Sequence, residues 1–455
     1  MEIDSGNTAW VLTAAALVML MTPALGFFYG GLTRSKNLLG TMMQSFIVVA
    51  LVAVIWVVIG YSLTFGPDAG GGLIGDLSWF GLKDVGAEPG GPGEFIYGFG
   101  IPHQAWMVFQ MMFAIITPAL ITGAFAERAK FGPFLVFMAA WSLLVYAPVG
   151  HWVFAYDGLL SATDFTDSAS QGINALDFAG GLAIHVNAGV AAIAAVIVFG
   201  KRKGFGTEPM EPSNITYVLL GGALLWFGWF GFNAGSAGGA NSQAVNAFVV
   251  TIIAAAMATL TWMLLSWQFS GKPSVVGAVS GAVAGLVAIT PASGFVEPMP
   301  ALAIGFGAGA LCYGAVRVRA MMGFDDSLDV VGVHGVGGAW GAIATGLFAT
   351  ASVSGVAFFD GAFYGEPSLL LDQLIALAVV SGYSFTVTFA ILKLLDLTVG
   401  IRVSEEEEEM GLDISQHGER GYVLDEGAGV PLFQPAPLPK TSSSTATAYV
   451  ATAES

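Results

Sequence analysis

Eleven apolar runs divide the chain, at residues 8–31, 42–65, 103–126, 132–154, 177–199, 216–236, 244–268, 275–292, 299–316, 330–350 and 369–396, with polar residues collected between them. Each is near the ~20 residues a helix needs to cross a bilayer. The pattern predicts an all-α polytopic membrane protein of eleven transmembrane helices. Two stretches interrupt it with ionisable groups. Asp177-Phe-Ala-Gly-Gly-Leu-Ala-Ile-His185-Val-Asn187 heads the fifth run, and Asp329-Val-Val-Gly-Val-His334-Gly-Val-Gly-Gly heads the tenth. Ionisable side chains in a membrane segment are costly, face the protein interior, and mark function.

The same pattern, a carboxylate at the mouth of a helix and a histidine further in, thus recurs five runs apart. An odd number of helices per unit makes a second copy enter the membrane from the opposite side. That is a 5+5 inverted repeat plus one helix, with the functional site between the halves. At about 1.5 Å per residue, His185 lies about 12 Å from Asp177 and His334 about 7–8 Å from Asp329. In a layer about 30 Å thick the two histidines approach without having to touch.

Composition agrees: of 455 residues, 55% are hydrophobic and only 10% charged, too apolar for a soluble core. The lone Cys312 excludes an intrachain disulfide. The net charge of −17 resides mainly in loops and the tail, and argues against nucleic-acid binding. Glu2 and Asp4 precede the first run without a basic residue, so 9–31 reads as a retained span rather than a signal peptide. Arg34, Lys36, Arg128, Lys130, Lys201, Arg202, Lys203, Lys272, Arg317, Arg319 and Arg402 all follow odd-numbered runs, whereas the alternate loops hold only Lys83. The positive-inside rule then puts the N-terminus outside and the tail in the cytoplasm.

Asp177 has an ordinary reading as a helix cap, which does not exclude function. Two buried histidines point to a pore or proton relay. A metal site is the rival, but no Cys or Glu cluster in these helices completes a ligand set. His103 and His151, near outer ends, are expected to titrate in a vestibule. Phe109 and Phe113 share one face of the third helix, as a packing or lipid-facing pair or as something more. The Tyr146–Phe154 segment reads as an interfacial aromatic belt, and Trp226–Ser236, with its glycines and Asn233, as a tight junction or a break lining a cavity. Residues 1–400 form the membrane domain and 401–422 an acidic, turn-rich regulatory tail. The Pro-, Ser-, Thr- and Ala-rich 423–455 is expected to be disordered.

Taken together, Leu25-Gly-Phe-Phe-Tyr-Gly-Gly-Leu32, Asp177-Phe-Ala-Gly-Gly, Trp229-Phe-Gly-Phe-Asn-Ala-Gly-Ser236, Asp329-Val-Val-Gly-Val-His-Gly335 and the Gly411-Leu-Asp…His-Gly-Glu419 tail closely resemble the ammonium transporter (Amt/Mep/Rh) family over residues 8–422. The resemblance implies a cell-membrane homotrimer of eleven-helix protomers, each with its own pore, and no enzymatic activity, metal or cofactor. It makes Phe109, Ser236 and Phe154 the outer site that recruits ammonium, and Phe113 and Phe232 an aromatic gate beneath it. It makes His185 and His334 paired pore histidines, Asp177 an essential carboxylate, and Tyr146 and Trp229 pore-associated aromatics. It also implies that the tail docks beneath the trimer, where a PII-type signal protein can close the pores.

One departure stands out. Phe154 occupies the place where well-known members carry Trp, and Phe attracts a cation less strongly. Trp152 lies about 200° away around the helix and does not substitute. The implied mechanism is deprotonation of ammonium, passage of ammonia past neutral imidazoles, and separate proton transfer. An ammonium sensor and an Rh-type neutral gas channel are the alternatives.

Overall fold

The computed structural model describes residues 2–87, 100–161, 173–355 and 360–422, and these are helical throughout apart from loops and three isolated backbone bridges. The expected disordered extension at 423–455, and part of the 66–102 loop, lie outside them. Among the described residues, ten helical units are long and apolar enough to cross a membrane: α1 (Ser5–Leu32), α2 (Ser35–Phe65), α3 (His103–Ala124), α4 (Phe131–Phe154), α5 (Gly181–Phe199), α6 (Ile215–Gly235), α7 (Ser242–Ser270), α9 (Pro298–Met322), α10 (Val331–Phe348) and α11 (Pro367–Thr398). Between α7 and α9 lies the shorter α8 (Val275–Ile289).

The expected eighth run, 275–292, is therefore too long as a helix. Pro291 has no N–H to extend the ladder, and 290–296 continue as buried, irregular chain. Bare backbone at this depth is tolerated only where protein satisfies it. Here the side chains of Gln243 and Asn246 donate to the carbonyls of Gly294, Ser293 and Val296, and the N–H of Phe178 donates to Pro291 O. The end of α3 is matched in kind, since Phe125–Ala129 are likewise buried and non-helical.

Loops 33–34, 125–130, 200–214 and 323–330 gather on one face, called here the basic face. A buried ion-pair lattice joins them. Glu127 accepts from the backbone N–H and Nε of Arg34 (2.7 and 2.8 Å) and lies 3.3 Å from Arg202 Nη1. Arg202 Nη2 reaches Asp325 Oδ1 at 2.7 Å, and Arg128 Nη2 donates to Asp325 O at 2.8 Å. Burial pushes the Glu127 carboxyl up, but Arg202 and Arg34 outweigh it and hold it below its ordinary range. Such a lattice adds little net stability, yet removing one member strands a buried charge.

The tail packs against the same face as two short helices, α12 (Glu405–Met410) and α13 (Leu412–His417), where only turns were expected. Ser404 and Glu407 close a capping box at the start of α12. Glu408, 1% exposed, accepts from Lys203 N–H and Arg402 Nη2, and Asp413 accepts from Gly40 N–H. Two further expectations change. His103 and His151 are buried, not in a vestibule: His103 Nε2 lies 2.6 Å from Tyr61 Oη, and His151 Nδ1 lies 3.0 Å from Thr64 O.

Candidate functional site

Both histidines of the interrupted stretches sit in wide, π-helical turns, Gly181–Val186 at the head of α5 and Val331–Gly335 at the head of α10. Turns of this kind are rare and favour functional positions. The first is held by Asp177. Gly180 turns the chain with φ +110°, and both carboxylate oxygens then accept from four backbone N–H groups, those of Gly180 (3.0 Å), Gly181 (2.5 Å), Leu182 (2.8 Å) and Ala183 (3.1 Å). A helix N-terminus is a natural anion seat. These partners are all backbone, so Asp177 bears on His185 through the turn it fixes.

At the second turn the corresponding cap comes from Asp326, whose Oδ2 accepts from Val331 N–H at 2.8 Å. Asp329, the expected counterpart of Asp177, instead adopts φ +62° and pairs with Arg319 Nη2 at 2.6 Å. Sequence reasoning missed Asp326 because the recurring pattern of a carboxylate at the helix mouth with a histidine further in pointed to Asp329.

The helices cross just beyond the histidines, at Gly189 and Gly335. A Cβ on Gly189 would lie 2.2 Å from Gly335 N, so nothing larger than glycine fits there. That approach brings His185 and His334 into contact, with Nδ1 atoms 3.2 Å apart and rings 5.3 Å apart at 20°. Two ring nitrogens at this distance need one donor and one acceptor, so the neutral pair holds a single proton between its Nδ1 atoms. His185 Nε2 is buried and has no hydrogen-bond partner among the described residues.

Aromatic rings stack from this pair toward the face opposite the basic one. Trp229 lies nearly parallel to His185 (5.4 Å, 18°), and Phe232 follows at 6.0 Å and 25°. Phe232 meets Phe113 at 4.4 Å, and Phe113 meets Phe109 at 4.9 Å. Phe109 abuts Gly235, which places it beside Ser236, whose hydroxyl donates to Phe232 O at 2.8 Å. Trp106, which sequence reasoning passed over, is 6.1 Å from Phe109 on the same face of α3.

Phe154 is not part of this series. It packs half-buried against two apolar clusters, and no ring contact joins it to Phe109 or Phe113 among the described residues. Tyr146 is fully buried beside Trp56 (6.2 Å); among the described residues its hydroxyl has no hydrogen-bond partner and its ring makes no contact with the histidines.

An apolar cavity runs from Phe232 past Trp229, His185 and His334 to Tyr29 and Asp329. Phe113 and Phe109 do not line it, so the Phe113–Phe232 contact closes its far end. Leu32, Leu328 and Asp329 also border a polar recess on the basic face with Arg202, Glu208 and Arg319. Among the described residues no cluster suits a metal ion. Chemically this is a largely apolar cavity in which the two imidazoles lie side by side, with Tyr29, Ser280 and Asp329 also on its lining. A charged solute would lose its water there without replacement.

Residues 9–422 match the Ammonium Transporter Family. The chain is 49% identical to an ammonium transporter of Bacillus subtilis, covering 92% of this chain and 99% of that one. It is 44% identical to the ammonium transporter Amt1 of Archaeoglobus fulgidus, covering 92% and 100%. Among solved structures it is similar to Saccharomyces cerevisiae Mep2, with a TM-score of 0.83 at 34% identity over 94% of each chain. A structure described as a sensor Amt protein is similar with a TM-score of 0.79 at 27% identity, covering 90% and 98%.

Proposed function

Because the chain belongs to the ammonium transporter family and is a multi-pass membrane protein, we propose that it takes up ammonium by removing its proton and passing ammonia along the paired imidazoles of His185 and His334. The observation that carries this reading is the 3.2 Å histidine contact inside an apolar cavity closed by Phe113 and Phe232. In this account all eleven helices span the membrane as a 5+5 inverted repeat plus one. The N-terminus is outside and the basic face cytoplasmic. The resulting homotrimer has three separate pores.

Ammonium is recruited outside by Phe109, Ser236 and Phe154. Because the Ser236 hydroxyl proton is committed to Phe232 O, its oxygen presents lone pairs to an ion that only donates. The ring of Phe109 adds cation–π attraction. Potassium is drawn to the same place but has no proton to give up, and the gate of Phe113 and Phe232 leaves its hydration shell no passage. Ammonia both donates and accepts, so it pairs with His185 Nε2 in either tautomer. The released proton moves separately through the region held by Asp177 and the two histidines, which makes transport electrogenic. Trp229 shapes the surrounding wall.

Residues 1–400 are the transport unit, and 401–422 regulate it at the cytoplasmic face, where a PII-type protein docks. Residues 423–455 are an extension without a part in transport. The likeness to a sensor Amt protein makes ammonium sensing the rival reading.

In reconstituted vesicles with potassium as competitor, His185→Ala and His334→Ala should each lose the selective ammonium current and remain folded. Wild-type selectivity in both single variants overturns the assignment.

A further inference from the structure

Histidine χ2 is a soft torsion, so the plane of a buried imidazole is set by whatever packs on it. For His185 these are His334, 5.3 Å away at 20° and in Nδ1 contact, and the two aromatic rings Trp229, 5.4 Å away and 18° from parallel, and Phe232 at 6.0 Å. Trp229 is fixed in turn by one polar contact, its Nε1–H donating to Thr290 Oγ1 at 2.9 Å. The Thr290 hydroxyl proton is already given to Leu286 O at 2.7 Å, so toward Trp229 the oxygen serves only as acceptor. The contact has a single polarity and cannot invert.

The next residue reaches the other side of the same site. Pro291 lies against Gly181, the first residue of the turn carrying His185, and its carbonyl accepts from Phe178 N–H at 3.1 Å. It also lies against Gly341 of α10, the helix of His334. Both residues belong to the irregular segment that follows α8. A regular helix through 292 would have carried them elsewhere.

We infer that the Thr290–Pro291 step is the positioning element of the histidine pair: Thr290 sets the plane of His185 through Trp229, while Pro291 seats the turn from which His185 projects. This rests on the transport reading above and assigns within it a residue that touches neither substrate nor histidine. Its consequence is discrimination. With Trp229 unpinned, His185 gains freedom to rotate, the Nδ1 contact loosens, and the passage admits competitors more readily while recruitment outside is untouched.

The test is Thr290→Val, of nearly the same shape but without an acceptor, compared with Thr290→Ser, which restores one. In ammonium-evoked current with potassium as competitor, Thr290→Val should lower the ammonium-to-potassium ratio by about two- to tenfold, the equivalent of one net hydrogen bond. The half-saturating ammonium concentration should stay the same, and Thr290→Ser should restore the ratio. In a Trp229→Phe background, where no N–H remains, Thr290→Val should add nothing. An unchanged ratio in Thr290→Val, no recovery in Thr290→Ser, or full additivity with Trp229→Phe overturns the inference. An absence of ammonium-evoked current in the wild-type protein would instead overturn the transport reading itself.

Discussion

Replacing Gly189 by alanine should part the two histidines without unfolding the protein. The added Cβ would lie 2.2 Å from Gly335 N and 2.3 Å from Gly335 Cα, whereas ordinary contact begins at 3.4 Å. The backbones must therefore separate locally by about 1.2 Å, the difference between 3.4 and 2.2 Å. Passed on in full, that takes the Nδ1–Nδ1 distance from 3.2 Å to about 4.4 Å, beyond hydrogen-bond reach. Overpacking of this kind costs about 1–3 kcal/mol, and alanine recovers up to ~1 kcal/mol of helix propensity.

The reciprocal change provides the control. A Cβ on Gly335 meets Gly189 C and Cα at 3.6 Å, an ordinary contact, so Gly335→Ala should leave the crossing intact. Solid-supported-membrane currents should fall at least tenfold in Gly189→Ala, the equivalent of about 1.4 kcal/mol, and stay near wild type in Gly335→Ala. Equal damage in both, or wild-type current in Gly189→Ala, refutes the argument that this crossing sets the histidine contact.

Three further outcomes are expected. Phe154→Trp should strengthen recruitment by ~0.5–1 kcal/mol and lower the half-saturating ammonium concentration; no change means that position 154, which lacks a ring contact to Phe109, faces away from the entrance. Truncation at Ile401 should alter transport rate or regulation without preventing insertion, and removal of 430–455 alone should do little; flux and PII response unchanged by the longer truncation would contradict this. The third concerns pH. Burial holds His417 below its ordinary value against the opposing pull of Asp413 and Glu419. The released tail therefore binds the proton more readily, so docking is complete above about pH 6.5 and weakens as pH falls below it. Proteolysis of the tail should be faster at pH 5.5 than at pH 7.5, and a His417→Gln variant should lose the difference.

The helix pattern was legible because a hydrocarbon layer dictates length and polarity directly. It misjudged the end of α8, where Pro291 overrides a run of apolar residues. The helical character of the tail was also written in the chain, since Ser404-Glu-Glu-Glu407 has capping-box spacing. Spacing gives depth and relative angle within one helix but not how two helices are turned toward each other, so the meeting of His185 and His334 could not be read from it. The glycine that allows it, Gly189, lies four residues after His185 and faces the backbone of Gly335. The shared Asp-to-His pattern likewise located both turns while naming Asp329 where Asp326 provides the cap. Trp106 lies on the same face as Phe109 and Phe113, three and seven residues before them, a signal present in the sequence.

The central claim, that ammonium crosses by giving up a proton which then travels separately, is tested most directly by charge movement in vesicles reconstituted with the full chain. An ammonium pulse should evoke a transient current that potassium at the same concentration does not evoke, and because the transferred proton rejoins ammonia inside, the vesicle interior should not turn alkaline. Ammonia flux without charge would contradict the account in favour of a neutral gas channel, and neither flux nor charge would contradict it in favour of a sensor.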